Sequence, residues 1–173
     1  MTPMETERLI VRRFAEADWQ GLYEMIVKYQ EFENAAYDPT HPWPTSPEEI
    51  KQLAGWFASG DRYLAVCLKE TGRFIGFVCL NPEEKEGSRE YNLGYIFDSN
   101  YRGQGYATEA CRAMLWRAFG ELQAGQVVTG TAPANLPSVR LLQRLGFRVT
   151  DESAGSYALS REEWERAGSG THG

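Results

Sequence analysis

The chain has little that would build a metal centre or a disulfide framework. Its three cysteines, Cys67, Cys79 and Cys111, stand in apolar periodic segments without a CxxC spacing, and its two histidines, His41 and His172, lie far apart. Such thiols read as reduced core residues of a cytoplasmic protein, and no metal site is expected. No run approaches the ~18 apolar residues of a membrane span. Residues 1–13 alternate charged and apolar side chains, without the apolar stretch of a signal peptide. Positive charge is not in excess either: 18 Lys and Arg against 24 Asp and Glu leave a formal net charge of −6. Duplex affinity comes from clustered cations that neutralise phosphates, so a nucleic-acid partner is not expected. What is present is ordinary globular composition, 42% apolar over 173 residues, enough for one domain with its own core.

The hydrophobic spacing predicts a mixed α/β domain over residues 1–167 and a disordered tail over 168–173. A β-branched run at 8–14 reads as a strand. Asp18 is the expected N-cap of a helix with Leu22, Met25, Ile26 and Tyr29 on one face. A proline-rich loop follows at 34–45. Ser46-Pro47-Glu48-Glu49 then opens a second helix, with Ile50, Leu53, Ala54 and Phe57 inward. Residues 63–68 and 73–80 form a hairpin around Lys69-Glu70-Thr71-Gly72. Residues 90–97 form a strand in which Gly94 marks a bulge or a close backbone approach. A helix is expected over 104–119, burying Ala107, Ala110, Cys111, Met114, Leu115, Ala118 and Phe119, with Glu109, Arg112 and Arg117 off that face. A strand at 126–132 leads to a short helix capped by Asn135, with Val139, Leu142 and Leu145 inward and Gly146 as its terminator. Strands at 147–150 and 156–159 complete the reading. Trp43 and Trp56 could mark a lid or a homodimer patch, and the sequence leaves both open.

The densest chemical signal is Asn100-Tyr101-Arg102-Gly103-Gln104-Gly105-Tyr106-Ala107-Thr108, between a strand and a helix. Glycines let the chain turn tightly and present N–H groups outward, and the helix N-terminus adds further donors and a positive dipole end. This combination suits a pyrophosphate, although strand, Gly-rich turn and helix also occur together as plain architecture. The turn is not a P-loop, since no Lys-Ser/Thr follows, and it does not match GxGxxG.

Arg102-Gly-Gln-Gly-Tyr-Ala107 resembles the Q/R-x-x-G-x-G/A motif of the GCN5-related N-acetyltransferases (GNAT). Ala107-Thr-Glu-Ala110, Asn135-Leu-Pro-Ser138 and Leu145-Gly146-Phe147, with Thr6-Glu-Arg-Leu9 and the stretch from Tyr157 to Trp164, resemble its RimJ/RimL-like branch. The likeness covers almost the whole chain. It implies a GNAT-like α/β fold: a mixed, mostly antiparallel, twisted sheet of six to seven strands with helices on both faces. Acetyl-CoA would lie where two parallel strands, 90–97 and 126–132, splay apart.

By the same resemblance, backbone groups of Tyr95 and Phe97 would pair with the pantetheine arm and polarise the thioester carbonyl. Amides of Arg102, Gly103, Gln104, Gly105, Tyr106, Ala107 and Thr108 would hold the pyrophosphate. Asn135 would bond the pantetheine side. Arg140 would meet adenosine phosphates or simply lie on a solvated helix face. Ser138 matches the branch's general acid, or is a second capping residue. Where the branch often carries a Glu base, this chain has Asn92, and an amide cannot take a proton. Glu90, two residues earlier on the same strand face, is the remaining carboxylate, though a solvated strand end is as fitting a role. Tyr37, His41 and Trp43 are acceptor-site candidates in the proline-rich loop. The implied function is acetyl transfer from acetyl-CoA to a primary amine, of a small molecule or a protein N-terminus. The alternative is a non-catalytic acyl-CoA sensor or interaction module, favoured by Asn92.

Overall fold

The computed structural model describes residues 1–29 and 43–168. Its strands are β1 (Met4–Glu5), β2 (Leu9–Arg13), β3 (Tyr63–Leu68), β4 (Phe74–Pro82), β5 (Glu90–Phe97), β6 (Gln126–Gly130), β7 (Arg148–Asp151) and β8 (Ser156–Ser160). Its helices are α1 (Trp19–Tyr29), α2 (Pro47–Ala58), α3 (Tyr106–Trp116), α4 (Leu136–Arg144) and α5 (Arg161–Gly168). Hydrogen bonding orders the strands β1-β2-β3-β4-β5-β6-β8-β7 in an eight-stranded sheet. β5 and β6 are parallel, whereas the registers of β1/β2, β2/β3, β3/β4, β6/β8 and β7/β8 are antiparallel. The sequence predicts six to seven strands, and the eighth is the two-residue β1, too short to carry a periodic signal.

Two compact units are distinguishable. The first comprises Met1–Cys79 with Tyr95–Cys111. Leu22, Met25 and Ile26 of α1 and Ile50, Ala54 and Phe57 of α2 are buried together with Phe14, Ala65, Cys67 and Phe77. Full burial of one such large side chain contributes about 1.5–3 kcal/mol. Phe57 stacks on Tyr63 at 4.2 Å between ring centroids. The cap of α2 follows its sequence signature, Ser46 Oγ accepting from the Glu49 N–H at 3.2 Å. Burial pushes the Cys67 and Cys111 thiols up, so both stay protonated near neutrality. Cys79 is likewise buried.

Asp18 does not cap α1. The chain enters through a 3₁₀ turn, Glu16–Asp18, so Asp18 lies one turn too late and its carboxylate reaches back to the Ala15 N–H (2.7 Å). The same carboxylate forks onto Arg12, with Nη1 to Oδ2 at 2.7 Å and Nη2 to Oδ1 at 2.9 Å.

The second unit comprises Leu80–Gly94 and the chain from Arg112 onward. Asn135 caps α4, and Leu141, Leu142 and Leu145 are buried, while Val139 is half-buried. Gly146, at φ +89°, terminates the helix, with Phe147 N–H bonded to the Leu142 carbonyl at 3.0 Å. β6 ends at Gly130: Thr131 N–H still bonds the Gly155 carbonyl at 2.9 Å, and Ala132 lies past the ladder.

Arg117, expected off the apolar face of the helix, is buried at 4% exposure. After Trp116 the helix widens into a π-type turn over Arg117–Glu121, which departs from the 3.6-residue period and rotates this position inward. There its Nε lies 3.4 Å from Glu121 Oε2.

α5 was not expected from hydrophobic periodicity. Its signal was a capping box: Glu163 N–H donates to Ser160 Oγ (3.1 Å), and Ser160 N–H donates to Glu163 Oε2 (2.7 Å). Gly168, assigned to the tail, is the last residue of α5, and 169–173 lie outside the described residues. Trp164 of α5 stacks on Phe119 at 5.6 Å. Among the described residues no helix is long and apolar enough to cross a membrane.

Candidate functional site

In the first unit, the end of β5 leads through a 3₁₀ turn, Ser99–Tyr101, into the glycine-rich turn. Buried Asp98 fixes the transition: its N–H bonds the Ile75 carbonyl at 2.8 Å, and its carboxylate accepts from the Asn100 N–H at 2.9 Å and from Lys28 Nζ at 3.3 Å. Gly76 lets β4 pass close to β5, because a Cβ there would meet the Ile96 carbonyl and come within 2.9 Å of Phe97 Cα. The backbone carrying Tyr95 and Phe97 is thereby held before the chain turns.

Gly103 and Gly105 adopt φ of +74° and +82°, the left-handed region that penalises any residue with a Cβ. Arg102 through Gly105 are exposed, and Tyr106, Ala107 and Thr108 are half-buried. Helix α3 begins at Tyr106, two residues later than the periodicity predicts, because the positive φ of Gly105 is incompatible with a helical turn. A Cβ on Gly103 would meet nothing within 4 Å. The turn thus presents backbone rather than side chain at a helix N-terminus, an arrangement able to hold a pyrophosphate.

Behind the turn lies a network that the sequence reading did not identify. Glu109 Oε1 accepts from Thr6 Oγ1 (2.6 Å) and from the Arg8 N–H (2.8 Å), and its Oε2 accepts from Arg8 Nε (2.7 Å). Arg8 Nη1 donates to the Gln104 carbonyl at 2.8 Å, and the guanidinium lies 4.3 Å from the Tyr106 ring centroid. Burial raises the Glu109 pKa, but the Thr6 hydroxyl and the Arg8 N–H and guanidinium outweigh it and hold the carboxyl below the usual range. The residues were visible in the Thr6-Glu-Arg-Leu9 resemblance. Their partner, about a hundred positions away, was not.

In the second unit, β5 pairs with β6 only over Glu90↔Gln126, Tyr91↔Val127 and Asn92↔Val128, though both strands continue further. The parallel register therefore ends two residues before Gly94. One step on, the buried Thr129 donates from Oγ1 to the Leu93 carbonyl at 2.7 Å, a side chain crossing where a ladder bond would be. Thr129 was also missed, its only signal being a hydroxyl at the end of a β-branched strand. Glu90 is half-buried, and its Oε2 accepts from Gln126 Nε2 at 2.7 Å, while Asn92 is exposed. Asn135 Oδ1 accepts from the Ser138 N–H at 3.4 Å, so those two residues share the first turn of α4. Arg140 is exposed on the same helix.

Among the acceptor-site candidates, Tyr37 and His41 lie outside the described residues. Trp43 is half-buried, packed edge-on against Phe77 at 5.9 Å, whereas Trp56 is 60% exposed.

The acetyltransferase (GNAT) domain family matches residues 8–148 of the chain. An uncharacterized N-acetyltransferase of Bacillus subtilis, YnaD, is 30% identical over 146 residues, covering 83% of this chain and 81% of its own length. Two solved structures share the fold at lower identity. The ribosomal-protein-S5-alanine acetyltransferase from Vibrio fischeri superimposes with a TM-score of 0.77 at 19% identity, covering 95% of this chain and 99% of that one. Mycobacterium smegmatis RimJ in complex with CoA-disulfide gives a TM-score of 0.73 at 18% identity, covering 92% and 89%.

Proposed function

The chain belongs to the GNAT family and is an acetyltransferase, and from this premise we propose that it takes acetyl from acetyl-CoA and delivers it to a primary amine by direct attack, without an acyl-enzyme. The observation that carries the reading is the Arg102–Thr108 turn, in which two positive-φ glycines precede the first turn of α3. Its amides hold the pyrophosphate in this proposal, and the backbone at Tyr95 and Phe97 aligns the pantetheine arm as an added strand would. Asn135 bonds the pantetheine side, and the exposed Arg140 meets the adenosine phosphates. Acetyl-CoA supplies the activated acyl group and a thiolate leaving group. The chain supplies proximity and carbonyl polarisation by oriented N–H groups.

Ser138 is the group that protonates the departing sulfur. No dedicated base is assigned. Asn92 has no basic group and Glu90 Oε2 accepts from Gln126; in this proposal the acceptor ammonium loses its proton to bulk water. The acceptor is a protein N-terminal amine in the first instance, a reading supported by the ribosomal-protein alanine acetyltransferase of Vibrio fischeri, with small-molecule amines as the other class.

A thiol-release assay against pooled amines and N-terminal peptides tests this. Turnover with one acceptor class is expected. Ser138→Ala should lower kcat with little change in CoA affinity, and Glu90→Gln should leave the pH profile of kcat/KM in place. Absence of thiol release with every acceptor would overturn the amine reading, and loss of the acid limb of the kcat/KM profile in Glu90→Gln would restore Glu90 as the base.

A further inference from the structure

Resting on the acetyl-CoA reading, we propose that Thr6, Arg8 and Glu109 form a clamp that sets the direction of the Gln104–Gly105 peptide and so tunes how tightly the turn holds a pyrophosphate. These three are positioning residues. Arg8 Nε is committed to Glu109 at 2.7 Å and Nη1 to the Gln104 carbonyl at 2.8 Å, while its guanidinium lies over the Tyr106 ring. Through these bonds Arg8 acts on the backbone of the turn.

The peptide unit is planar and, as everywhere among the described residues, not cis, so its C=O and N–H point in opposite directions. Drawing the Gln104 carbonyl toward Arg8 therefore turns the Gly105 N–H to the opposite side and polarises it. It also keeps a carbonyl dipole from facing an incoming anion.

Glu109 has a second role. It stands in the first turn of α3, where a carboxylate left without its cation would repel a diphosphate. Here its two oxygens accept from the Thr6 hydroxyl, the Arg8 N–H and Arg8 Nε. The negative charge is consequently neutralised on the side of β2, and the fork geometry requires arginine rather than lysine, which lacks two donors at fixed spacing.

This predicts a non-additive pattern. Arg8→Gln frees the Gln104 carbonyl and also exposes the Glu109 charge, so it should weaken CoA binding by about tenfold or more. Arg8→Lys should not restore affinity. Adding Glu109→Gln to Arg8→Gln should recover part of the loss, because the repelling charge is gone. Thr6→Val, the mildest change, should cost a few-fold. In turnover the defect should fall mainly on KM for acetyl-CoA and less on kcat, a split that general loosening of the fold would not give.

The experiment is calorimetric titration of the full chain and these variants with CoA. Circular dichroism melts fix a temperature at which each is folded, and Thr6→Val carries the test should the Arg8 variants melt early. Wild-type binding with weakened Arg8→Gln and partial recovery in the double variant is the expected result. Wild-type affinity in Arg8→Gln and Thr6→Val, or losses that simply add in the double variant, would overturn the clamp alone. Absence of CoA binding by the wild type would overturn the acetyl-CoA reading and the clamp with it.

Discussion

Two helix N-termini carry most of the proposed chemistry, and they are ordered by opposite means. The start of α4 is organised within itself: Asn135 accepts from Ser138 three residues on, and Pro137 fixes the backbone of the first turn. The start of α3 is tied instead to distant residues. Its turn passes through two residues at positive φ and takes its support from Thr6 and Arg8, about a hundred residues earlier. A terminus that must present backbone N–H groups outward cannot also use a side chain of its own to cover them, so its order has to come from behind. A terminus whose task is to display one hydroxyl can cap itself.

Substitutions that attack one terminus and spare the other sharpen this contrast. The largest effect is expected from Gly105→Val. A β-branched residue at φ +82° carries a backbone penalty of about 1–2 kcal/mol, and its Cβ would lie 3.3 Å from Arg8 Nη2. CoA binding should be abolished while the fold persists, as read by calorimetry beside a thermal melt. Next is Gly76→Ala, which drives a methyl into the β5 backbone and should cost about 1–3 kcal/mol in urea unfolding. Asn135→Ala removes a local cap, about 1 kcal/mol by the same measurement, together with the one bond proposed to pantetheine, and its effect on CoA affinity should be far below that of Gly105→Val. If the two were equal, the contrast between the termini would fail.

The smallest effect is an acid one. Glu109 is ionised more readily in the fold than in the unfolded chain, where its pKa is near 4.5. Its stabilising contribution is therefore complete above that value and is lost as pH falls through the lowered folded value. The urea midpoint of Glu109→Gln should lie below that of the wild type at neutral pH, and the gap should narrow below about pH 4.5. A gap constant with pH would mean that the Glu109 charge contributes nothing.

Legibility in the sequence follows the same division between local and distant order. Ser46 with Glu49, Asn135 with Ser138 and Gly146 after Leu145 act within a turn or two, and each was readable as a cap. Ser160 with Glu163 was equally local and could have been read, since the capping-box residues stand at the right spacing. Asp18 misled because a cap preference says nothing of a competing arginine six residues back. Arg117 misled because one widened turn shifts the helical phase. The glycines of the α3 turn were legible through the backbone freedom they confer, but the Glu109 network and the Thr129 to Leu93 bond join segments distant in sequence. No periodicity encodes such pairs.

In this proposal the Arg102–Thr108 turn binds CoA through its backbone. The most direct test is calorimetric titration of the full chain with CoA and acetyl-CoA, with Gly105→Val alongside. Saturable binding by the wild type that disappears in a folded Gly105→Val is the predicted result; no binding by the wild type, or undiminished binding by the variant, would contradict it.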